Sequence, residues 1–398
     1  MTLMHQADEV LEFDLDARTG HVCGVRALGQ GDLAPPGVLD GSLRGTPMTP
    51  EDALAWHLQW RRISPLRQDL GPILQATGAE SPDALAVRAR GFSLSDCFWY
   101  RLPGDDTTWE GSNLFDNGWD PAFGEAVLAR DYPALGAASV SVPDVTCGGI
   151  SRKAWVADGG SPRMLKSSHG GSGAGAVGEA LASLLLSRIM GEGDYVRYRL
   201  ERIAGTWFSS SAPMVGRDES LLNIGLVGSG GEAVGESRSL LVRSRWLKRC
   251  RHAFALLGVE GGDVALSKMG VAATLLMRTD LHVRNYGVVR NSRTGSLRAA
   301  PLFDLAGSFM TEAGDKLDLL AGNTQLASVV AQSLLSALDP GWDYSWYDPH
   351  ALDGFAEELE EGLALCAGWP RGRRAAARAL FESQLAYVNA VAAGGGMA

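Results

Sequence analysis

Between residues 274 and 309 apolar runs lead repeatedly into single polar residues. Leu275, Leu276 and Met277 lead into Asp280, and Asn285 follows five positions later. Gly287-Val288-Val289 and the run 296–303 read as two short strands, joined by the turn-forming Asn291-Ser292-Arg293-Thr294-Gly295. The second run ends on Phe303-Asp304. Asp280, Asn285 and Asp304 therefore fall at the ends of apolar segments around one hairpin.

The rest of the chain mixes strands and helices up to about residue 215 and is mostly helical beyond, an α+β pattern. Residues 12–28 alternate on both sides of Thr19-Gly20, as a hairpin does. Helical spacing marks 51–62, 66–77 and 82–90, the second broken at Gly71-Pro72. Aromatic residues crowd 91–128 and are expected to pack a small core. Asp96, Asp116 and Asp120 lie there too, but lack the alternation of a Ca²⁺ loop, so turn and cap roles are expected. A second hairpin spans 153–157 and 162–167, then a glycine run at 170–175 and a helix over 178–190. Residues 195–201 and 206–215 read as strands, 216–236 as a surface loop. Helices are expected at 238–258, 264–280, 317–338, 351–368 and 373–393.

Composition narrows the class. The 398 residues are 45% hydrophobic and 21% charged, ordinary for a globular protein. A net charge of -10 argues against a broad nucleic-acid surface, and the basic stretch 243–251 reads as a solvated helix face. Cys23, Cys97, Cys147, Cys250 and Cys366 are dispersed without a C-x-x-C pair, which fits a reducing compartment better than a disulfide framework or zinc site. The opening MTLMHQADEVLEFD has no signal-peptide core, and no run approaches the roughly 18 apolar residues of a membrane helix, so a cytoplasmic protein with no membrane partner is expected.

The polar residues of the hairpin suit metal-assisted phosphoryl transfer. Asp280 and Asn285 match the D-x-x-x-x-N spacing of the protein-kinase catalytic loop, where Asp is the base and Asn a metal ligand. Asp304, on the returning strand, is placed to hold Mg²⁺ against ATP phosphates. The competing structural reading makes Asp280 a turn cap and Asp304 a helix cap. Upstream, Gly148-Gly149 lets backbone pass close to phosphates, Lys166 reaches them, and Glu179 pairs with Lys166. A rival reading uses Gly173, Gly175 and Gly178 as a G-x-G-x-x-G dinucleotide turn, with Glu201 as its acidic residue. Against it, RMLKSS before the glycines is a weakly apolar strand from a hairpin, and the Asp280/Asn285/Asp304 set goes unexplained. GGSGA (170–174) and VGSGG (227–231) each miss a hydrolase elbow by one glycine.

With these residues the chain resembles the HipA-like serine/threonine kinases over roughly 146–310. The resemblance lies in GGISRKAWV, RMLK, GEALAS, RTDLHVRNYGVV and APLFDLAGS, set against a family pattern of N-T-D-x-H-x-x-N and P-x-(Y/F)-D. Arg278 stands where that pattern has Asn, while His282 and Asn285 match. Residues 12–128 look like the N-terminal region of a subgroup from Gram-positive bacteria and mobile elements. The resemblance implies a two-lobed kinase-like fold. Residues 1–145 would be an accessory region, 146–215 the nucleotide-binding core and 216–398 the helical lobe. It implies ATP and Mg²⁺ as cofactors, Asp280 as base and Asn285 and Asp304 as metal ligands. Gly148, Gly149, Lys153, Lys166, Glu179 and His282 would line the nucleotide. The acceptor would be a hydroxyl of a protein, peptide or small molecule, and an antitoxin-like or regulatory protein is an implied partner. Ser151, Ser167, Ser168 and Ser172 are available for autophosphorylation. A kinase-shaped binding protein without turnover is the alternative.

Overall fold

The computed structural model describes residues 1–45, 48–158, 161–168, 172–228, 243–278, 285–313, 317 and 338–394. Asp280 and His282 lie outside the described residues, as do nearly all of the helices expected over 317–338. The chain forms two compact units that alternate along the sequence. The first comprises Met1–Lys166, Ala212–Ala233 and Gly287–Leu297, and the second Ser167–Ser211, Val234–Tyr286 and Arg298–Ala398.

In the first unit, β1 (Thr2–His5), β2 (Asp8–Asp16), β3 (His21–Ala27) and β4 (Phe98–Arg101) form an antiparallel sheet in the order β3-β2-β1-β4. Leu3 pairs with Leu11 and Met4 with Glu9, so Val10 is the extra residue of a bulge, and both Val10 and Leu11 are buried. Six helices follow the chain here: α1 (Gly41–Arg44), α2 (Pro50–Leu58), α3 (Leu70–Thr77), α4 (Pro82–Arg88), α5 (Trp109–Ser112) and α6 (Ala122–Ala129). Thr49 and Ser81 cap α2 and α4 through Asp52 N–H and Ala84 N–H, each with Pro at the first helical position. The break expected at Gly71-Pro72 is instead a start. α3 begins at Leu70, and Pro72 falls in its first turn, where no intrahelical N–H is needed.

One core of this unit gathers Ile63, Ile73, Leu85, Phe123, Val127 and Val145. A second holds the aromatics of 91–128: Phe92 stacks on Trp99 with ring centroids 5.2 Å apart, and Trp109 is buried beside them. Turn roles hold for Asp120 and Asp96, the latter accepting from Phe98 N–H, while Asp96 and Asp116 also form ion pairs that the sequence does not signal. Asp96 pairs with Arg61, Asp116 with Arg217, and Asp120 accepts from Ala122 N–H.

β5 (Lys153–Asp158) and β6 (Ser161–Ser167) form the expected antiparallel hairpin. The 216–236 stretch is not all loop. β9 (Glu219–Asn223) pairs antiparallel with β10 (Gly287–Asn291), and Ser220 and Leu222 are fully buried. A Cβ at Gly287 would collide with the Leu222 carbonyl, so only glycine permits this pairing.

The second unit contains α7 (Ala174–Ile189) and a hairpin of β7 (Arg199–Ile203) and β8 (Thr206–Ser211). The strand expected at 195–201 is thus displaced, with Tyr195 making only an isolated parallel bridge to Leu302. α8 (Arg243–Leu257) and α9 (Gly262–Leu275) follow, then the short β11 (Leu297–Ala299) at the boundary between the units. The helix expected at 351–368 is α10 (Phe355–Gly362) plus a single 3₁₀ turn, and α11 (Arg371–Ala392) closes the chain. Phe309, Phe355 and Phe381 pack together with centroids 5.4 to 6.4 Å apart, the Phe309–Phe381 pair T-shaped.

Candidate functional site

Asp304 is set in a frame of backbone hydrogen bonds within the second unit. Leu302 N–H donates to Asp194 O and Val196 N–H to Leu302 O, both at 2.8 Å. This parallel pairing carries the chain to Tyr198, whose hydroxyl accepts from Asp304 N–H at 3.0 Å. Tyr198 is itself held by α7, since Ser183 Oγ accepts from Tyr198 N–H at 2.7 Å and donates to Val196 O.

The carbonyl of Asp304 accepts from the Arg278 guanidinium at 2.6 Å. The other arm of Arg278 donates to Tyr286 Oη, also at 2.6 Å. Tyr286 directly follows Asn285, and Arg278 and Asn285 are 1% and 3% exposed. One buried guanidinium therefore joins the backbone of Asp304 to the neighbour of Asn285. The end of α9 is tied in as well, since Phe309 N–H donates to Leu276 O at 2.6 Å.

Strain collects here. Met277, Asp304, Phe309 and Met310 take positive φ of 48°, 53°, 54° and 58°. Such conformations cost non-glycine residues roughly 1–3 kcal/mol each and persist where the surroundings over-determine them.

The glycines of 173–178 serve packing. Gly173, with φ +75°, precedes α7, and a Cβ there would lie 3.0 Å from Trp207 Cβ. At Gly175 a Cβ would meet Glu312 Oε1 at 2.5 Å, and at Gly178 Thr311 Oγ1 at 2.5 Å and Ala306 O at 2.8 Å. Both glycines let α7 lie directly on the chain that leaves Asp304. The preceding strand β6 sits in an antiparallel hairpin rather than a βαβ unit. The dinucleotide reading therefore loses the open backbone and the parallel strand it requires.

Glu179, the residue after Gly178 on α7, is completely buried, and its carboxylate accepts a hydrogen bond from Ser209 Oγ on β8. Ser167 and Ser168 are buried, and Ser168 Oγ accepts from Ala176 N–H at 3.0 Å.

The remaining candidates belong to the first unit. Lys153 stands opposite Lys166 in the register of the β5–β6 hairpin, so both side chains leave the same face. Gly149 has φ +89°, and a Cβ there would lie 2.6 Å from Lys153 Nζ, so glycine makes room for the ammonium. The first unit also holds a contact that sequence reading did not anticipate: Ser292 Oγ lies 3.2 Å from His5 Nε2 and 3.6 Å from Cys97 Sγ. Burial, aided by Arg290, lowers the His5 pKa to about 4, and burial raises that of Cys97 to about 11. His5 is neutral, Cys97 is a thiol, and both are 1% exposed or less, so the contact offers no reactive thiolate.

Asn285 and Asp304 supply a side-chain amide and a carboxylate, hard oxygen donors that suit Mg²⁺. Among the described residues no three His, Cys, Asp or Glu side chains cluster as a site for a softer metal would require. Arg278, Tyr198, Ser183 and Tyr286 hold the backbone around Asp304 and beside Asn285, and of these the sequence signals only Arg278, as a departure from the family pattern.

No family model matches the chain, and no curated protein matches it. Among solved structures, a chain of the Shewanella oneidensis MR-1 toxin–antitoxin complex of HipA, HipB and operator DNA is similar over 98% of this chain and 96% of its own, with a TM-score of 0.51 and 11% identity. The Helicobacter pylori proinflammatory kinase CtkA is similar over 60% of this chain and 92% of its own, with a TM-score of 0.43 and 13% identity. The chain has a HipA-like fold of mixed α/β architecture, spanning nearly its whole length.

Proposed function

We propose that this protein is a Mg²⁺-dependent phosphotransferase that moves the γ-phosphoryl group of ATP to a hydroxyl, most simply a Ser or Thr of a protein or peptide. The observation that carries the reading is the Arg278 bridge, which binds the Asp304 backbone to the residue beside Asn285. Asp304 and Asn285 are the two residues assigned to metal, and the backbone of Asp304 lies among the strained residues.

Asn285 and Asp304 would hold Mg²⁺, which when bound neutralises charge on the ATP phosphates. Lys153 and Lys166, paired across their hairpin with room made by Gly149, supply positive charge for the phosphate oxygens. Gly148 and His282 complete the assigned nucleotide set. Asp280 takes the proton of the attacking hydroxyl as the new P–O bond forms and ADP leaves.

The Shewanella HipA was captured with HipB and operator DNA. By analogy we assign this chain a regulatory protein partner, with no direct nucleic-acid contact of its own because its net charge is -10. A cytoplasmic location accords with the dispersed cysteines. No helix among the described residues is long and apolar enough to cross a membrane.

The deciding experiment measures thermal unfolding of the purified protein with ATP, NAD⁺ or NADPH, each with and without Mg²⁺. Stabilisation by ATP that requires Mg²⁺ supports the kinase reading and is followed by an acceptor screen by mass spectrometry. Stabilisation by a nicotinamide nucleotide alone overturns it. Mg²⁺-dependent ATP binding without transfer to any acceptor, and without self-phosphorylation, converts it to a binding protein of kinase shape.

A further inference from the structure

Arg278 departs from the sequence pattern of the family that the chain resembles, and the structure gives it work that an asparagine is too short to do. Its guanidinium reaches Tyr286 Oη and the Asp304 carbonyl at once, each at 2.6 Å. Only a forked side chain with several N–H groups in fixed geometry makes that bridge. The side chain is almost fully covered, so water is a poor substitute for either bond.

Both ends of the bridge are otherwise fixed. Tyr286 packs against Trp246 of α8, ring centroids 3.8 Å apart. Asp304 has its N–H on Tyr198 and a φ of +53°. The bridge therefore fixes where the segment bearing Asn285 stands against the turn bearing Asp304. Outer partners of this kind orient metal ligands without touching the metal.

We propose that Arg278 is a positioning residue that sets the spacing of Asn285 and Asp304 and thereby the affinity of the site for Mg²⁺. The proposal rests on the phosphotransferase reading and adds to it a specific determinant of the metal requirement.

The test compares wild type with Tyr286→Phe, which removes one arm of the bridge and leaves both rings in place, and with Arg278→Lys, which keeps the charge and loses the fork. Calorimetric titration gives the Mg²⁺ concentration for half-maximal tightening of ATP binding. Titration with Mn²⁺, free ion read by electron paramagnetic resonance, gives ion affinity without any turnover. Outer-shell losses typically weaken metal affinity about 10–100-fold. Arg278→Lys is expected within that range and Tyr286→Phe at its lower end. ATP binding in the absence of divalent ion should be unchanged, and KM for Mg-ATP should rise more than kcat falls.

A purely structural role would lower the melting temperature of these variants and leave the ion half-point in place, which overturns the proposal. If Arg278→Lys does not fold, Tyr286→Phe decides alone: an unchanged half-point overturns the proposal just as firmly. Wild type that binds ATP with no response to Mg²⁺ or Mn²⁺ overturns the phosphotransferase reading itself, a distinct result.

Discussion

A Cβ at Gly178 would lie 2.5 Å from Oγ1 of Thr311. Thr311 is not free to yield, because that hydroxyl donates to Ala306 O at 2.8 Å and lies 2.9 Å from Ser308 O. The Ala306 carbonyl would lie 2.8 Å from the added carbon, and backbone cannot swing aside as a side-chain tip does. Gly178→Ala is therefore expected to destabilise the fold by about 1–3 kcal/mol through overpacking. Gly193→Ala, where a Cβ meets nothing within 4 Å, is the control and should change little. Urea denaturation of the two variants reads the difference. Equal stability would mean that α7 does not lie on the 306–311 segment.

That contact also shows what the sequence discloses and what it hides. The hairpins at 12–28 and 153–167 were legible because period-two alternation and turn residues are local signals. The helix after the glycines was legible from its leucines, whereas the reason for the glycines was not, because Thr311 and Glu312 are more than 130 residues away. β9 was invisible for the same cause. Its partner β10 lies some sixty residues later, and five residues of a buried strand in a glycine-rich setting carry little pattern. Asn285 is singled out by its spacing from Asp280, and Asp304 by its place at the end of an apolar run. The side chains that hold Asp304 in place, Tyr198 and Ser183, have no spacing signature, since they act through backbone groups that only the fold brings near.

Two aspartates assigned different roles should fail in different ways. Asp304→Ala removes the carboxylate assigned to metal and is expected to weaken Mg-ATP binding itself. Asp280→Ala removes the proposed base and should leave Mg-ATP affinity near wild type while phosphate transfer falls ~10²–10⁴-fold. Calorimetry and a single-turnover assay on the same preparations separate the effects. Transfer by Asp280→Ala at the wild-type rate would remove Asp280 from its catalytic role.

In the first unit Arg61 is the buried counter-ion of Asp96, with bonds of 2.8 and 3.0 Å, and it also donates to Gly91 O and Phe98 O. The side chains are only 4% and 7% exposed. Arg61→Met should cost about 3–5 kcal/mol, because it strands a carboxylate in a dry site. Asp96 also accepts from Phe98 N–H, so Asp96→Asn added to Arg61→Met should recover part of the loss by removing the charge and keeping the acceptor. Chemical denaturation of both single variants and the double variant gives the coupling. A double variant no more stable than Arg61→Met would place the cost in lost packing instead of the stranded charge.

The pH dependence of stability should reveal three buried groups that act in opposite directions. Burial, then Arg61 and Arg290, lowers the His57 pKa from 6.5 to about 3, and burial with Arg290 lowers that of His5 to about 4. Unfolding lets both imidazoles take up a proton below 6.5, so their stabilising contribution is complete above that pH and is lost progressively as pH falls toward 4 and then 3. Asp144 runs the other way. Burial raises its carboxyl from 3.8 to about 7, against the opposing hydrogen bond from Trp155 N–H, and its stabilising share is complete below 3.8 and lost as pH rises through 7. Each group contributes a slope of at most about 1.4 kcal/mol per pH unit inside its window. Two histidines outweigh one aspartate between about 4 and 6.5, so stability should climb with pH there, flatten near 6.5 and dip slightly toward 7. Asp144→Asn should steepen the climb and abolish the dip, while His57→Phe should roughly halve the histidine slope. Urea midpoints measured from pH 4 to 8 test this directly, and a His57→Phe protein that kept the wild-type slope would show that His57 does not stay neutral in the fold.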